Sequence, residues 1–305
     1  MRRVTTQDWL GAHVSAQGGV DTAPARGAAI GAAAIQVFTK TPSQWREPPV
    51  GPEVAARFRR ACRTNGLQDV VAHDSYLINL ASPDPVLSAR SAESFMAELA
   101  RCKLLGIRWL VSHPGNYIDD REAGLARNAA AYARCLAAVP GKLTVLLETT
   151  AGSGTVLGAT FEELADLRRR IPSPLRRRVG FCADTCHLYS AGYDLVRDFD
   201  GVWHHWERVI GLRHLRVLHL NDSKTPFGSR RDRHELIGEG TLGPEPFRRI
   251  MTDPRFTQVI RIVETPKGDD EVTMDRKMLR RLRRYARRAA RPPSVAPGDP
   301  SADLS

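Results

Sequence analysis

Eight short runs rich in Val, Ile and Leu recur along the chain: GAHVS (11–15), AIQVF (34–38), DVVAH (69–73), RWLVSH (108–113), LTVLLE (143–148), VGFCAD (179–184), LRVLHL (215–220) and QVIRIVE (258–264). Short apolar runs separated by longer segments read as buried parallel strands joined by helices. In 91–105, for example, Phe95, Leu99, Cys102 and Leu105 fall at helical spacing, while Glu93, Glu98, Arg101 and Lys103 take the other faces. About eight such βα units predict a single (β/α)8 barrel. The expected boundaries are an N-terminal extension over 1–10, a barrel domain over 11–291 and a disordered tail over 292–305, rich in Pro, Ser and Asp.

Six of these runs end on or beside a residue able to bind metal: His73, His113, Glu148, Asp184, His219 and Glu264. One His or acid at a strand end is ordinary, but a series requires a common cause. A barrel supplies it, because its C-terminal strand ends converge on one face; an open doubly wound sheet would gather ligands only near its switch point. Two more clusters extend the set, His187 three residues after Asp184, and Asp232 with His234. Imidazoles and carboxylates without thiolate suit zinc, with Mn and Fe open on ligand type alone. Nine groups exceed the needs of one tetrahedral ion and suit two or three. Three divalent ions would outweigh the four carboxylates, Glu148, Asp184, Asp232 and Glu264, leaving a pocket attractive to a phosphate diester.

The formal net charge of +11 favours a polyanionic partner, nucleic acid or a membrane surface. The opening residues have no apolar signal region and no stretch approaches about 18 uninterrupted apolar residues, so membrane spanning loses support and a cytoplasmic location is expected. Five scattered cysteines read as reduced thiols.

At these residues the chain resembles endonuclease IV, the zinc-dependent apurinic/apyrimidinic endonucleases of the xylose-isomerase-like barrel group. The resemblance rests on GAHVSAQGG (11–19), FTKTPSQW (38–45), HDSYLINLASP (73–83), HPG (113–115), ETTAGSG (148–154), DTCHLYSAGYDL (184–195), HLNDSKTPFGSRRDRHELIGEG (219–240) and VET (263–265), in that order. Single pieces are weak; the ordered set, running from about Gly11 to Lys267, is specific. The resemblance implies three zinc ions. His73 and His113 would hold one, Asp184, His219 and Glu264 a second, with Glu148 bridging the two, and His187, Asp232 and His234 the third. It implies hydrolysis of the phosphodiester 5′ to an abasic site in duplex DNA, leaving a 3′-hydroxyl and a 5′-deoxyribose phosphate, and trimming of blocked 3′ ends. Zinc-activated hydroxide would attack, with Glu264 and Glu148 as the catalytic carboxylates.

Expected DNA contacts are Lys40, Gln44 and Trp45 after the second strand, Tyr76 and Leu77 after the third, and Arg230, Arg231 and Arg233 around the third ligand cluster. Neither a membrane nor an obligate protein partner is implied, and the chain is expected to be a monomer. Two departures stand out: Ser43 occupies a position where the family usually carries Arg, and Thr149 one where it carries Asn. His13 is open between a structural and a phosphate-facing role, whereas His204, His205 and His214 read as surface or packing residues. The segment 275–293 reads as a basic helix, either an auxiliary DNA contact or the last helix of the barrel. The rival functional reading is a metal-dependent sugar isomerase or epimerase on the same barrel, which has no obvious need for His187, Asp232 and His234 together.

Overall fold

The computed structural model describes residues 8–289; the expected tail over 292–305 and the first seven residues of the expected extension lie outside them. Eight parallel strands close into a barrel: β1 (Leu10–His13), β2 (Ala34–Phe38), β3 (Asp69–His73), β4 (Trp109–Ser112), β5 (Thr144–Glu148), β6 (Val179–Asp184), β7 (Leu215–Leu220) and β10 (Ile260–Val263). The order around the barrel is β1-β10-β7-β6-β5-β4-β3-β2. Two short strands, β8 (Asp222–Ser223) and β9 (His234–Glu235), form an antiparallel pair beyond β7. Strand β1 begins at Leu10, and the Asp8 carbonyl accepts from Arg261, so the barrel starts earlier than residue 11.

Strand alternation explains how one sequence builds both the core and the site. Val70 and Ala72, Val145 and Leu147, and other outward residues pack beneath the helices. Their neighbours Ala34, Val71, Val111, Leu146, Cys182, Val217 and Ile262 form a separate buried cluster inside the barrel. Two residues further along the same faces stand Gln36, His73, His113, Glu148, Asp184, His219 and Glu264. The interior is thus apolar below and ligand-bearing above. Gly11 shows how tightly the strands approach: a Cβ there would fall 1.6 Å from the Ala34 carbonyl oxygen on β2.

The basic helix is Glu271–Ala289, and it packs as a barrel helix. Met278, Leu279, Leu282 and Tyr285 form its buried stripe. Several of its arginines are used within the protein, Arg276 donating to the Ala29 carbonyl, Arg281 to Glu239 and Arg283 to Asp8. Among the described residues no helix is long and apolar enough to cross a membrane.

Candidate metal centre and cavity

Among the described residues, ligand atoms gather at the mouth of the barrel in five groups, each within 4.8 Å, and three of these contain no cysteine: His73 with His113 and Glu148; Glu148 with Asp184, His219 and Glu264; and His187 with Asp232 and His234. Glu148 belongs to two of these three. Its Oε2 lies 3.2 Å from His73 Nε2 and 2.9 Å from His113 Nε2, while its Oε1 lies 2.9 Å from His219 Nδ1. Glu264 Oε2 is 3.2 Å from the same His219 nitrogen. In the third group Asp232 reaches His187 Nε2 and His234 Nε2, each at 3.1 Å. Asp184 also caps the helix Thr185–Ala191, accepting from the His187 amide at 2.9 Å, which sets His187 one turn above the strand end.

The hydrogen bonds behind these ligands decide which ring nitrogens face inward. A carbonyl oxygen only accepts, so a ring nitrogen bonded to one keeps its proton and the other is the atom that can be freed to coordinate. His73 Nδ1 donates to the Asp74 carbonyl at 2.9 Å and His187 Nδ1 to the Thr149 carbonyl at 2.8 Å, leaving each Nε2 turned to the carboxylates. For His219 the roles reverse. Its Nε2 donates to Gln36 Oε1 at 2.8 Å, so Nδ1 is the available atom. His234 Nε2 is buried and, although 3.1 Å from Asp232 Oδ1, is not aligned for a hydrogen bond. A pocket of inward-turned imidazole nitrogens and carboxylates fits divalent metal. Cys182 and Cys186 lie close by, but burial pushes each thiol up to about 12.

Electrostatics bind the cluster together in the metal-free protein. Burial opposes ionisation of Glu148, yet His219 and His113 hold its carboxyl well below the usual range. Burial likewise opposes charge on Glu264 and Asp232, and neighbouring imidazoles overcome it in both. His13 sits at the edge, where burial lowers its pKa.

Three residues outside the expected set hold the ligands. Gln36, fully buried on β2, accepts from His219 and donates to Glu264 Oε1 at 2.6 Å. Its amide also lies 3.0 Å from His13 Nδ1, giving that histidine a place in the same network. Asn221 donates to Asp184 Oδ2 at 2.6 Å and accepts from the Glu264 amide at 2.9 Å. The Thr149 hydroxyl accepts from the Asp184 amide at 2.9 Å, so this departure from the family pattern has a defined local job. The signal for Gln36 was present in the sequence, as a lone amide two residues beyond an inward-facing Ala in an apolar run. Gln36→Ala is expected to weaken metal binding about 10–100-fold, because outer partners orient the ligands. Competition with a chelating dye measures this, and unchanged affinity would remove Gln36 from the site.

The groups open into a cavity of about 980 Å³, lined by His13, Phe38, Tyr76, Glu148, His187, Asp232, Glu264 and Lys267 among others. Tyr76 stands 68% exposed at the mouth, edge-on to Phe38 at 5.1 Å. Arg230, Arg231 and Arg233 are exposed, and Gln44 is exposed on the loop after β2. Trp45 is half-buried with the Arg90 guanidinium 4.5 Å over its ring, and Leu77 is half-buried. The Lys40 side chain is 2% exposed, at the wall of the cavity, and its ammonium is bound by Glu47 at 2.7 Å. Of the outlying histidines, His205 pairs with Glu162 at 2.6 Å on the outer helices, and His204 is exposed.

Residues 24–285 match the family described as Xylose isomerase-like TIM barrel. A curated relative from Geobacter sulfurreducens, named probable endonuclease 4, is 48% identical, the alignment covering 92% of this chain and 95% of the relative. Among solved structures, endonuclease IV from Thermus thermophilus superposes with a TM-score of 0.81 at 35% identity, covering 92% of this chain and 99% of that one. A D-psicose 3-epimerase superposes with a TM-score of 0.61 at 16% identity, over 92% of this chain and 96% of that one, a likeness of fold alone.

Proposed function

From the premise that the chain belongs to the endonuclease IV family of xylose isomerase-like TIM barrels, and is therefore a DNA-repair nuclease, we propose its reaction. It hydrolyses the phosphodiester 5′ to an abasic site in duplex DNA, leaving a 3′-hydroxyl and a 5′-deoxyribose phosphate, and trims blocked 3′ ends. The observation that carries this reading is the third ligand group, His187, Asp232 and His234, beside the two joined by Glu148. A sugar isomerase has no evident use for it.

Zinc is the proposed metal, three ions per chain, held by His73, His113, Glu148, Asp184, His187, His219, Asp232, His234 and Glu264. When bound, such ions lower the pKa of water and neutralise charge on a phosphate. The chain's own contribution is placement. Glu264, with one oxygen tied to Gln36, orients the attacking water and draws its proton toward the carboxylate. Arg230, Arg231 and Arg233 meet backbone phosphates on the rim. Tyr76, exposed at the mouth, occupies space vacated when the abasic nucleotide turns out of the helix.

A nicking assay on duplex carrying one abasic site, with chelator and metal add-back, tests the reading. Incision is expected only at the abasic position and only with metal restored. An intact strand under metal-replete conditions would overturn it.

A further inference from the structure

Residues 39–51, between β2 and the helix Pro52–Thr64, form no helix or strand, yet Pro42, Pro48 and Val50 from this segment line the cavity. A loop of this length keeps one shape only if tertiary contacts hold it. Ser75 donates to the Pro42 carbonyl and Arg90 stacks on Trp45, but the densest contacts here are ionic and internal. The helix Pro85–Leu105 presents Ser94, Glu98 and Arg101 on one face at helical spacing. Glu47 Oε1 accepts from Lys40 Nζ at 2.7 Å and from the Ser94 hydroxyl at 2.6 Å, while its Oε2 takes the Arg101 guanidinium. Lys40 also donates to the Gln44 carbonyl at 2.9 Å, closing the turn from inside. Thr39 ties the loop's root to Glu98 and to Arg101 Nε.

The charges balance: Lys40 and Arg101 against Glu47 and Glu98. The side chains of Lys40, Arg101 and Glu98 are 2%, 6% and 1% exposed, whereas Glu47 is 30% exposed and belongs to the loop itself. Removing Glu47 would leave Arg101 with Glu98 and leave Lys40, which pairs with no other acid among the described residues and keeps only the Ser94 hydroxyl and the Gln44 carbonyl, to be driven outward to water. Because Lys40 also holds the Gln44 carbonyl, its departure would release the turn that displays Gln44 and Trp45.

We propose that Glu47 is a positioning residue, a latch that sets the loop after β2 in its duplex-receiving shape before DNA arrives. This rests on the DNA-incision reading above. It places the loop's basic residue in the scaffold and leaves recognition to the side chains the scaffold displays.

The test compares Glu47→Ala and Glu47→Gln with the full-length, metal-loaded protein by hydrogen exchange over 39–51 and by steady-state incision of abasic duplex. Glu47→Ala is expected to speed exchange in that segment and to raise KM about tenfold with kcat retained, since the catalytic groups stay in place while the receiving surface is misplaced. Glu47→Gln keeps acceptors for Lys40 and Ser94 and should fall between. Unchanged exchange and KM in Glu47→Ala would overturn the latch, as would accelerated exchange spread evenly through the barrel. If the wild-type protein failed to incise, the functional reading would fall, and exchange over 39–51 would still decide whether Glu47 holds the loop.

Discussion

Glu264→Gln is expected to fold, to populate the barrel normally and to lose incision of abasic duplex by about 10²–10⁴-fold in kcat, the range ascribed to a positioned acid–base group. The substitution is isosteric and follows β10, so strand register is untouched. What changes is the charge. Glu264 Oε1 accepts from Gln36 and lies 3.2 Å from His13 Nδ1, and Oε2 lies 3.2 Å from His219 Nδ1. An amide keeps one acceptor but cannot draw a proton from water or offset the imidazolium charge beside it. The measurement is single-turnover cleavage together with metal content, so that loss of chemistry is separated from loss of a ligand. Rates close to wild type with metal retained would remove Glu264 from its proposed role.

Metal removal is the second large effect. Chelation is expected to abolish incision, and reloading to restore it with close to three ions bound per chain; a reproducible stoichiometry of one would overturn the trinuclear proposal. Reloading should also depend on pH, with a sign that follows from the metal-free site. Burial by itself would lower His73 and His234, but Glu148 beside the first and Asp184 with Asp232 beside the second lift each to about 9. His187 and His219 are also held well above the ordinary imidazole value, burial again being overcome by nearby acids or the Cys182 thiol. At neutral pH these rings therefore carry protons that metal must displace, because only the free lone pair coordinates. Apparent metal affinity is expected to rise with pH up to about 9 and to fall steadily below it. Calorimetry in buffers of different ionisation enthalpy reads the released protons directly. Binding without proton release would contradict the pairing of these imidazoles with Glu148 and Asp232.

Two kinds of information account for how much could be read in advance. The strands were legible because each is a short apolar run, and those over 34–38, 69–73, 179–184 and 215–220 begin and end where the residues suggest. The candidate ligands at their ends stood out because polar groups able to bind metal contrast with the Val and Leu before them. Asp232 and His234 lie on an irregular segment reaching β9, where no periodicity marks them; their spacing by one residue pointed to them first, and the ordered family motif then agreed. The pairing of Lys40 was not legible because charge alone does not say which way a side chain turns. Its neutralising partner Glu47 is near in sequence, but the Ser94 and Arg101 that make an interior ionic site there come from a helix that begins at Pro85. Asn221 and Gln36 escaped for a related reason, since an amide becomes a positioning group only when its partners from other strands surround it.

The sequence by itself determined the barrel, the direction in which its strands run and the chemical character of the residues crowning them. These follow from local rules: period-two alternation, β-favouring composition and the order of motifs. The tertiary structure alone decided which nitrogen of each histidine faces inward, that Glu148 joins two ligand groups, and that Lys40 serves the scaffold. Those outcomes depend on hydrogen bonds and ion pairs between residues up to 183 positions apart, as for His219 and Gln36, and such contacts exist only once the barrel has closed.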